Sequence, residues 1–334
     1  MDRAVTKSAD SVPFATLSPE HVLQAAEQLG LDPDGRLFAL NSYENRVYRV
    51  GRAEAPPVVM KFYRPRRWTD AQILEEHAFA EELAAADIPV AAPMRIAGST
   101  LTDCAGLRVG VFPLVVGTTP EMDAPEARAM LGRTLARLHS CGSARRFSSR
   151  VALHGEALGE RARHQVLRSP LLPDSCAARY ERISDQLLDA IETQWEQGEP
   201  TSVRRLHGDC HLGNILWTVH GPLFVDLDDC QTGPAVQDLW MFLTGDADNQ
   251  RREWSELSSG YEQFANFDYR ELALSEALRA SRMLNHSAWV VTRWDDPAFP
   301  RAFPWFNDSS FWDRHVNDLA EQIELVASPP LLRA

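Results

Sequence analysis

The sequence predicts an α+β protein with two lobes: a small β-rich N-terminal lobe and a larger, mainly helical C-terminal lobe. Three observations support this prediction. Short strand-like segments separated by turn residues occur between residues 36 and 63. Amphipathic helical patterns occupy most of the chain after residue 126. Within that helical part, apolar segments around 206–228 flank a turn and predict a single embedded β-hairpin.

The N-terminal elements follow one another closely. Residues 1–17 are expected to form a loose leader. A helix is predicted over 18–30, because Ser18 can cap it, Pro19 suits its first position and Gly30 can end it. Strands are predicted at RLFAL (36–40), RVYRV (46–50), VVMKFY (58–63) and LRVGVFPLVVG (107–117), with a helix over 69–87. We expect the N-terminal lobe to comprise residues 18–116 and the helical lobe 117–334.

The C-terminal lobe is predicted from repeated helical patterns. These lie at 126–140, 157–168, 175–197, 253–266, 270–291 and 309–326. The hairpin between them is expected to turn at HGP (220–222). The aromatic-rich segment 288–306 is interpreted mainly as core packing, with a wall that faces the substrate as the alternative.

Composition excludes several classes of partner. The net charge of −13 argues against a general nucleic-acid binder and against an anionic membrane surface. The N-terminus lacks the apolar region of a secretory signal. The longest apolar run, VGVFPLVV at 109–116, is too short to cross a bilayer. Five cysteines without a CxxC pair indicate reduced thiols, so we expect a cytoplasmic location.

The stretch LHGDCHLGNILW (206–217) carries the densest group of reactive side chains. A zinc site built on His207, Cys210 and His211 is one interpretation, but no second ligand group is evident. A polar loop that enters a strand is another. The third interpretation is a site of proton transfer in which Asp209 accepts a proton from an attacking hydroxyl.

The segment FVDLDD (224–229) favours the third interpretation. A hairpin brings its two ends together, so Asn214 and Asp226 are expected to become neighbours. An amide oxygen and a carboxylate are hard donors that suit Mg²⁺ bridged to nucleotide phosphates. Asp209 then stays outside the metal site and serves as the base, which is the division of roles in phosphoryl transfer.

A lysine in an apolar strand supplies a candidate phosphate contact. Lys61 lies within VVMKFY, where an unpaired charge is costly to bury. Glu75 and Glu76 on the next helix are possible partners, and Glu76 is preferred because it shares the face of Ile73 and Leu83. The alternatives are a lysine that extends to solvent and a solvated helix face.

The order of Lys61, Glu76, HGDCHLGN and FVDLDD resembles the aminoglycoside phosphotransferase-like kinases, whose fold is that of protein kinases. Further blocks, LNSYENRVY (40–48), VMKFYRPRRWTDAQILEEH (59–77) and TRWDDPAFPRAFPW (292–305), resemble a bacterial branch of serine/threonine protein kinases. Together these blocks cover nearly the whole chain. The resemblance therefore implies a bilobal protein kinase-like fold, with ATP and Mg²⁺ as cofactors.

The resemblance also implies roles for individual residues. Asp209 is the implied catalytic base, and Asn214 and Asp226 are the implied metal ligands. Lys61 contacts the α- and β-phosphates and is steadied by Glu76. His207 is expected to orient the loop, and Asp238 either braces the loop or caps a helix.

One block departs from the protein-kinase pattern. LNSYENRVY is the implied phosphate loop, yet it contains no glycine to let backbone N–H groups approach a phosphate. Ser42 and Asn45 are expected to supply side-chain donors instead. The segment DLD at 226–228 replaces the usual Asp-Phe-Gly, and Asp228 or Asp229 is a possible assisting metal ligand.

Three functions remain open at this point. The first is transfer of phosphate from MgATP to a serine or threonine hydroxyl of a protein, which the resemblance associates with bacterial stress response. The second is transfer to a small molecule such as an aminoglycoside, choline or a sugar. The third is a nucleotide-binding module without transfer. The expected partner is a protein substrate, with no nucleic acid or membrane, and the chain is expected to be a monomer.

Overall fold

The computed structural model describes residues 13–154, 158–198 and 202–329, and these residues form two compact units. The first unit contains the described residues through Ala85 together with Val90–Val116. The second contains Ala86–Pro89 and the described residues from Gly117 onward. A five-stranded sheet dominates the first unit and helices dominate the second, which confirms the predicted α+β class.

The sheet of the first unit is antiparallel throughout. Its strands are β1 (Pro33–Leu40), β2 (Arg46–Arg52), β3 (Val58–Phe62), β4 (Thr102–Cys104) and β5 (Leu107–Pro113), in the order β1-β2-β3-β5-β4. β3 is central, and Met60 and Phe62 alternate with Lys61 along it, so the two apolar side chains face opposite to the lysine. Met60 and Phe62 belong to the buried apolar cluster of this unit, which leaves Lys61 on the other face of the sheet.

Helix α1 (Pro19–Gln28) packs on the apolar face of the sheet through Val22 and Ala26. Ser18 caps it by accepting a hydrogen bond from the backbone N–H of His21. Of the expected loose leader, residues 1–12 lie outside the described residues. The remainder is not loose, because Phe14 is buried in the same apolar cluster.

Helix α2 (Asp70–Ala85) begins with the capping pair that the sequence predicted. Thr69 and Gln72 bond each other's backbone N–H groups at 2.9 and 3.3 Å. Its buried face carries Ile73, Glu76, His77, Phe79, Ala80 and Leu83. Glu76 therefore lies on the apolar face of the helix, and this burial requires a partner for its charge.

The second unit is built from seven α-helices among the described residues. They are α3 (Pro125–Gly142), α4 (Glu160–Leu167), α5 (Asp174–Gln197), α6 (Ala247–Tyr261), α7 (Ser275–Thr292), α8 (Ala298–Ala302) and α9 (Ser309–Ala327). The helix predicted at 253–266 begins earlier, because Asp246 caps it through the N–H of Asn249. The helix predicted at 270–291 is preceded by a separate 3₁₀ turn, Tyr269–Leu274.

Four short strands interrupt these helices: β6 (Arg204–Leu206), β7 (Ile215–Thr218), β8 (Gly221–Phe224) and β9 (Gln231–Gly233). β7 and β8 form the predicted hairpin, and β6 pairs with β9. The turn lies at residues 219–220, one residue before the predicted position, because Gly221 already pairs with Thr218. β6 and β9 were not predicted from the sequence, because each is only three residues long.

The aromatic segment near the C-terminus serves mainly as core. Phe299, Phe306 and Trp312 are completely buried, whereas Trp305 is 48% exposed. All five cysteines are free thiols, and four of them are buried. In the described part of the chain, no helix is both long and apolar enough to cross a membrane.

Candidate active site

A buried carboxylate holds the loop between β6 and β7 by hydrogen bonds to its backbone. Asp238 is fully buried, and its two oxygens accept hydrogen bonds from the backbone N–H groups of His207 and Gly208, each at 2.8 Å. The imidazole of His139 contacts the same carboxylate at 3.1 Å. Asp238 does not open a helix, because it is the last residue of the 3₁₀ turn Ala235–Asp238. It braces the loop, which was one of the two roles considered from the sequence.

Gly208 lets two backbone segments approach closely. It adopts φ +89°, and a side chain at this position would overlap the carbonyl oxygen of Asp229. Gln237 adds a hydrogen bond from Nε2 to the carbonyl oxygen of Gly208 at 2.8 Å. Glycine is therefore required here both for its conformation and for its size.

His207 orients the loop and is completely buried. Its Nε2 lies 2.9 Å from the carbonyl oxygen of Val225, so this nitrogen carries the proton and donates. The contact ties the start of the loop to the residue before Asp226. A role as proton acceptor for a substrate does not fit a side chain without exposure.

Asp209 follows these anchors and is 26% exposed. Its Oδ1 contacts the guanidinium of Arg282 on α7, and its Oδ2 lies 3.4 Å from Nε2 of His211. The N–H of Gly213 donates to Nδ1 of His211 at 2.9 Å, so neutral His211 carries its proton on Nε2, toward Asp209. Partial burial alone raises the pKa of Asp209, but His211 and the Arg282 charge outweigh it and hold that pKa well below its usual range.

The open end of the β7–β8 hairpin brings the two predicted metal ligands together. Val225 donates its N–H to the carbonyl oxygen of Asn214 at 3.0 Å, which continues the ladder and places Asp226 next along the chain. The side-chain amide of Asn214 donates to the carbonyl oxygen of Asp209 at 2.9 Å. That bond fixes the amide nitrogen inward and turns the amide oxygen away from it. Asp226 has φ +59° and an exposed side chain.

The two neighbouring carboxylates differ from Asp226 in exposure. Asp228 is only 3% exposed, and Arg150 donates to its backbone carbonyl oxygen at 2.6 Å. Asp229 is partly exposed. Across residues 13–154, 158–198 and 202–329, no three His, Cys, Asp or Glu side chains form a cluster able to hold a metal ion. Asn214 and Asp226 offer an amide oxygen and a carboxylate, both hard oxygen donors, and partly exposed Asp229 lies three positions further along the chain.

In the first unit, Lys61 and Glu76 form an ion pair. Nζ of Lys61 lies 3.6 Å from Oε1 of Glu76, with only 7% and 3% of the two side chains exposed. The ammonium also lies over the ring of Tyr63, 4.9 Å from its centre. The sequence favoured Glu76 over Glu75 as the partner of Lys61, and this geometry agrees with that preference.

The loop that joins β1 to β2 contains Ser42 and Asn45. Asn45 is 2% exposed, and its amide oxygen accepts a hydrogen bond from the backbone N–H of Arg64 at 3.0 Å. Arg64 in turn donates to the carbonyl oxygen of Glu44 at 2.8 Å. Asn45 therefore shapes the loop, while Ser42 is partly exposed at the bend. Contact of either side chain with a phosphate stays a prediction.

Sequence reasoning missed several residues that shape this site. Arg282, His139, Gln237 and Arg150 lie far from Asp209 along the chain, and each contacts the loop or its supports. No local pattern marks them, because their positions depend on how the helices pack. Of the supporting turn, only Asp238 in VQDLWM was singled out from the sequence, on the strength of the family resemblance.

The chain is similar to a known enzyme family and to named relatives over most of its length. The model of the phosphotransferase enzyme family matches residues 37–274. Stress response kinase A of Escherichia coli K12 is 42% identical over 318 residues, covering 95% of this chain and 96% of the relative. The serine/threonine protein kinase RdoA of Salmonella typhimurium LT2 is 43% identical over 319 residues, with the same coverage.

Solved structures resemble the chain over most of its length. Amicoumacin kinase hAmiN, in complex with AMP-PNP, Ca²⁺ and Ami, superposes with a TM-score of 0.75 at 19% identity, covering 95% of this chain and 96% of that one. Spectinomycin phosphotransferase, in complex with ADP and spectinomycin, gives a TM-score of 0.63 at 14% identity, covering 90% and 98%. At such identities the likeness concerns the fold.

Proposed function

Because this chain belongs to the phosphotransferase enzyme family and is a kinase, we propose that it transfers the γ-phosphoryl group of MgATP to a serine or threonine hydroxyl of a protein. The observation that carries the proposal is Asp209, an accessible carboxylate on a loop whose backbone is fixed by buried Asp238. Such fixed positioning is what phosphoryl transfer requires of a protein.

Asp209 is the proposed base. Its lowered pKa keeps it ionised at neutral pH, so it can accept a hydrogen bond from the acceptor hydroxyl. In the transfer, the hydroxyl oxygen forms a bond to the γ-phosphorus, the bond from that phosphorus to the bridging oxygen breaks, and ADP leaves. The hydroxyl proton passes to Asp209. A carboxylate of low basicity takes this proton late, which suits a loose transition state.

Asn214 and Asp226 are the proposed Mg²⁺ ligands. The test of fit is the chemistry of their donors: the amide oxygen of Asn214 is turned away from the Asp209 carbonyl, and Asp226 is an exposed residue that follows Val225, the backbone partner of Asn214. Mg²⁺ prefers oxygen ligands and keeps several waters, so two protein oxygens with a nucleotide are sufficient. When bound, the ion neutralises charge on the phosphate oxygens.

Lys61 is the proposed contact to the α- and β-phosphates. The buried Glu76 carboxylate holds the ammonium and restricts its rotation, which lowers the entropy lost when a phosphate binds. Ser42 is a second proposed donor at the loop between β1 and β2. Asn45 acts on that loop through Arg64, which fixes its shape.

The choice of a protein acceptor is supported by the printed names of relatives at 42–43% identity, which include a serine/threonine protein kinase and proteins named for stress response. A small-molecule acceptor is the second candidate, since the solved neighbours are named as kinases of amicoumacin and spectinomycin. Those neighbours are below 20% identity, and we therefore rank the protein acceptor first.

The test uses purified protein, γ-labelled ATP and Mg²⁺. One arm offers serine and threonine peptides and a generic protein acceptor; the other offers aminoglycosides, choline and sugars. We expect label on protein or peptide with the natural chain. Asp209→Asn should abolish transfer while nucleotide binding is retained, and Asp226→Ala should weaken nucleotide binding that depends on Mg²⁺.

The control is Asp248→Asn, which makes the same chemical change at a side chain that is 94% exposed on α6. It should transfer phosphate like the natural chain. Label that appears only on small molecules would favour the second candidate. Full turnover by Asp209→Asn would exclude Asp209 as the base, and unchanged MgATP affinity of Asp226→Ala would exclude the metal assignment.

A further inference from the structure

The contact between Arg282 and Asp209 is an unusual feature for a catalytic base. Arg282 lies on the exposed side of α7, and its side chain is 43% exposed. The side of the helix away from Arg282 is buried through Ala277, Ala280, Leu284, Ser287 and Ala288. The backbone that carries the guanidinium is therefore fixed, while the charged group itself reaches solvent beside the reacting carboxylate.

This contact has a direct chemical consequence. The guanidinium occupies Oδ1 of Asp209, so that oxygen cannot receive the hydroxyl proton while the pair exists. An ion pair this exposed to solvent is weak, because water and salt screen its charges. A ligand that offers Arg282 a better anionic partner can therefore separate the pair at small cost.

Arg282 is an exposed cation on α7, and the other arginine of this helix, Arg279, is paired with Glu276. His286 lies one helical turn further on, where partial burial and the Arg282 charge lower its pKa against the opposing charge of Asp209. Its ring contacts Trp289 and Phe303, with centres 5.7 and 6.1 Å apart. Arg282 is thus an exposed cation one helical turn from a group of aromatic rings, although the whole chain carries a net charge of −13.

We propose that Arg282 selects the acceptor: it binds an anionic group, a carboxylate or phosphate, that flanks the acceptor hydroxyl, and it repels cationic acceptors such as aminoglycosides. Binding of that anion draws the guanidinium away from Asp209 and frees the carboxylate to receive the hydroxyl proton. The guanidinium suits this role because its planar donors match carboxylate and phosphate. The inference rests on the proposed phosphoryl transfer by Asp209.

The test compares acceptor peptides that differ at one position. A serine peptide receives a single Glu, phosphoserine (with the acceptor hydroxyl kept), Gln or Lys at each position within three residues of the acceptor, and kcat/KM is measured for each. With the natural chain, the best anionic position should exceed its Lys counterpart by about tenfold or more, since like charges in contact strongly disfavour binding. Comparing Glu with phosphoserine identifies which anion is preferred.

Three substitutions carry the comparison. Arg282→Gln should reduce the ratio of kcat/KM between the anionic peptide and its Lys counterpart to about threefold or less. Arg282→Glu should reverse this ratio, and Arg282→Lys should keep the larger part of it. Arg282→Gln should also raise kcat toward the neutral Gln peptide, because Asp209 is no longer held by a cation. If Arg282 had a merely structural role, its substitution would lower kcat/KM for all peptides by the same factor.

The control is Arg251→Gln, which removes another exposed arginine paired with an aspartate, Asp248, in the same unit. Arg251→Gln should leave the preference for anionic over Lys peptides unchanged. Equal kcat/KM of the natural chain for Glu and Lys peptides overturns the role of Arg282, whatever the variants do. If labelling still requires Asp209 in that case, the proposed function stands. Label on aminoglycosides and on no peptide would overturn both the protein acceptor and the role of Arg282.

Discussion

The carboxylate of Asp238 and the backbone N–H of Gly208 are joined by a hydrogen bond of 2.8 Å inside the second unit. The other oxygen of the same carboxylate receives the N–H of His207 at the same distance. The residue that follows this pair of bonds is Asp209. The position of the proposed base therefore depends on one buried side chain 29 residues further along the chain from Asp209.

Asp238→Ala should destabilise the protein and stop transfer. Two buried N–H groups lose their acceptor, and each unsatisfied buried donor costs about 1–3 kcal/mol. Asp238→Asn retains one oxygen and should be milder. Urea unfolding measures the stability, and labelled transfer measures the activity of the folded fraction. The role of Asp238 as a brace is refuted if Asp238→Ala unfolds at the same urea concentration as the natural chain.

The ion pair of Lys61 and Glu76 permits a prediction in which stability and activity diverge. Removal of one partner leaves a buried charge, so Glu76→Ala should lose about 3–5 kcal/mol. The double variant Lys61→Met with Glu76→Leu replaces both charges by apolar groups and should recover most of that stability. It should nevertheless transfer no phosphate, because the proposed phosphate contact is gone.

Urea unfolding and labelled transfer, both measured on the two variants, check this prediction. A double variant that is stable and also active would show that Lys61 has no part in nucleotide use. A double variant as unstable as Glu76→Ala would instead show that the pair is needed for the fold.

Gly208 and Gly98 form a matched pair for testing close backbone approach. Their φ angles are +89° and +86°, but a side chain at Gly98 meets nothing within 4 Å, whereas one at Gly208 overlaps Asp229. Alanine at either position carries the conformational cost of about 1 kcal/mol. Gly208→Ala should cost more than Gly98→Ala, by about 2 kcal/mol or more, and should also lose transfer. Equal unfolding midpoints for the two variants would contradict the close approach.

The sequence predicted the features that local patterns encode. The β7–β8 hairpin, the inward position of Glu76 and the Thr69–Gln72 cap each follow from residues a few positions apart. The supports of Asp209 do not. His139, Asp238 and Arg282 come from three separate segments, and only tertiary packing brings them to the loop. Of the expected leader, only residues 13–17 are described, and there Phe14 is an isolated apolar residue whose burial in the apolar cluster no local pattern indicates.

Glu271 provides a prediction for the pH dependence of stability. Its side chain is completely buried and accepts the backbone N–H of Val236 at 3.0 Å, next to the turn that carries Asp238. Arg204 lies 4.0 Å away. Burial is the main cause that raises the pKa of Glu271 to about 7 from the ordinary value of 4.5, against the opposing effects of Val236 and Arg204.

The sign follows from proton binding. Between pH 4.5 and 7 the folded chain holds a proton on Glu271 that the unfolded chain has released, so the free energy of unfolding falls as the pH rises through this window. Glu271→Gln resembles the protonated form at every pH. The natural chain should therefore match this variant near pH 5 and lose about 3 kcal/mol relative to it by pH 8.

Urea unfolding of both proteins at pH 5, 6, 7 and 8 measures this difference. Buried histidines such as His139 and His315 also titrate, with pKa values lowered by burial, but their contributions cancel in the comparison between the two proteins. The control is Glu324→Gln, at an exposed position of α9. Its free energy of unfolding should differ from that of the natural chain by the same amount at each pH. A constant difference for Glu271→Gln would mean that Glu271 stays ionised in the fold, with Arg204 and Val236 stabilising its charge.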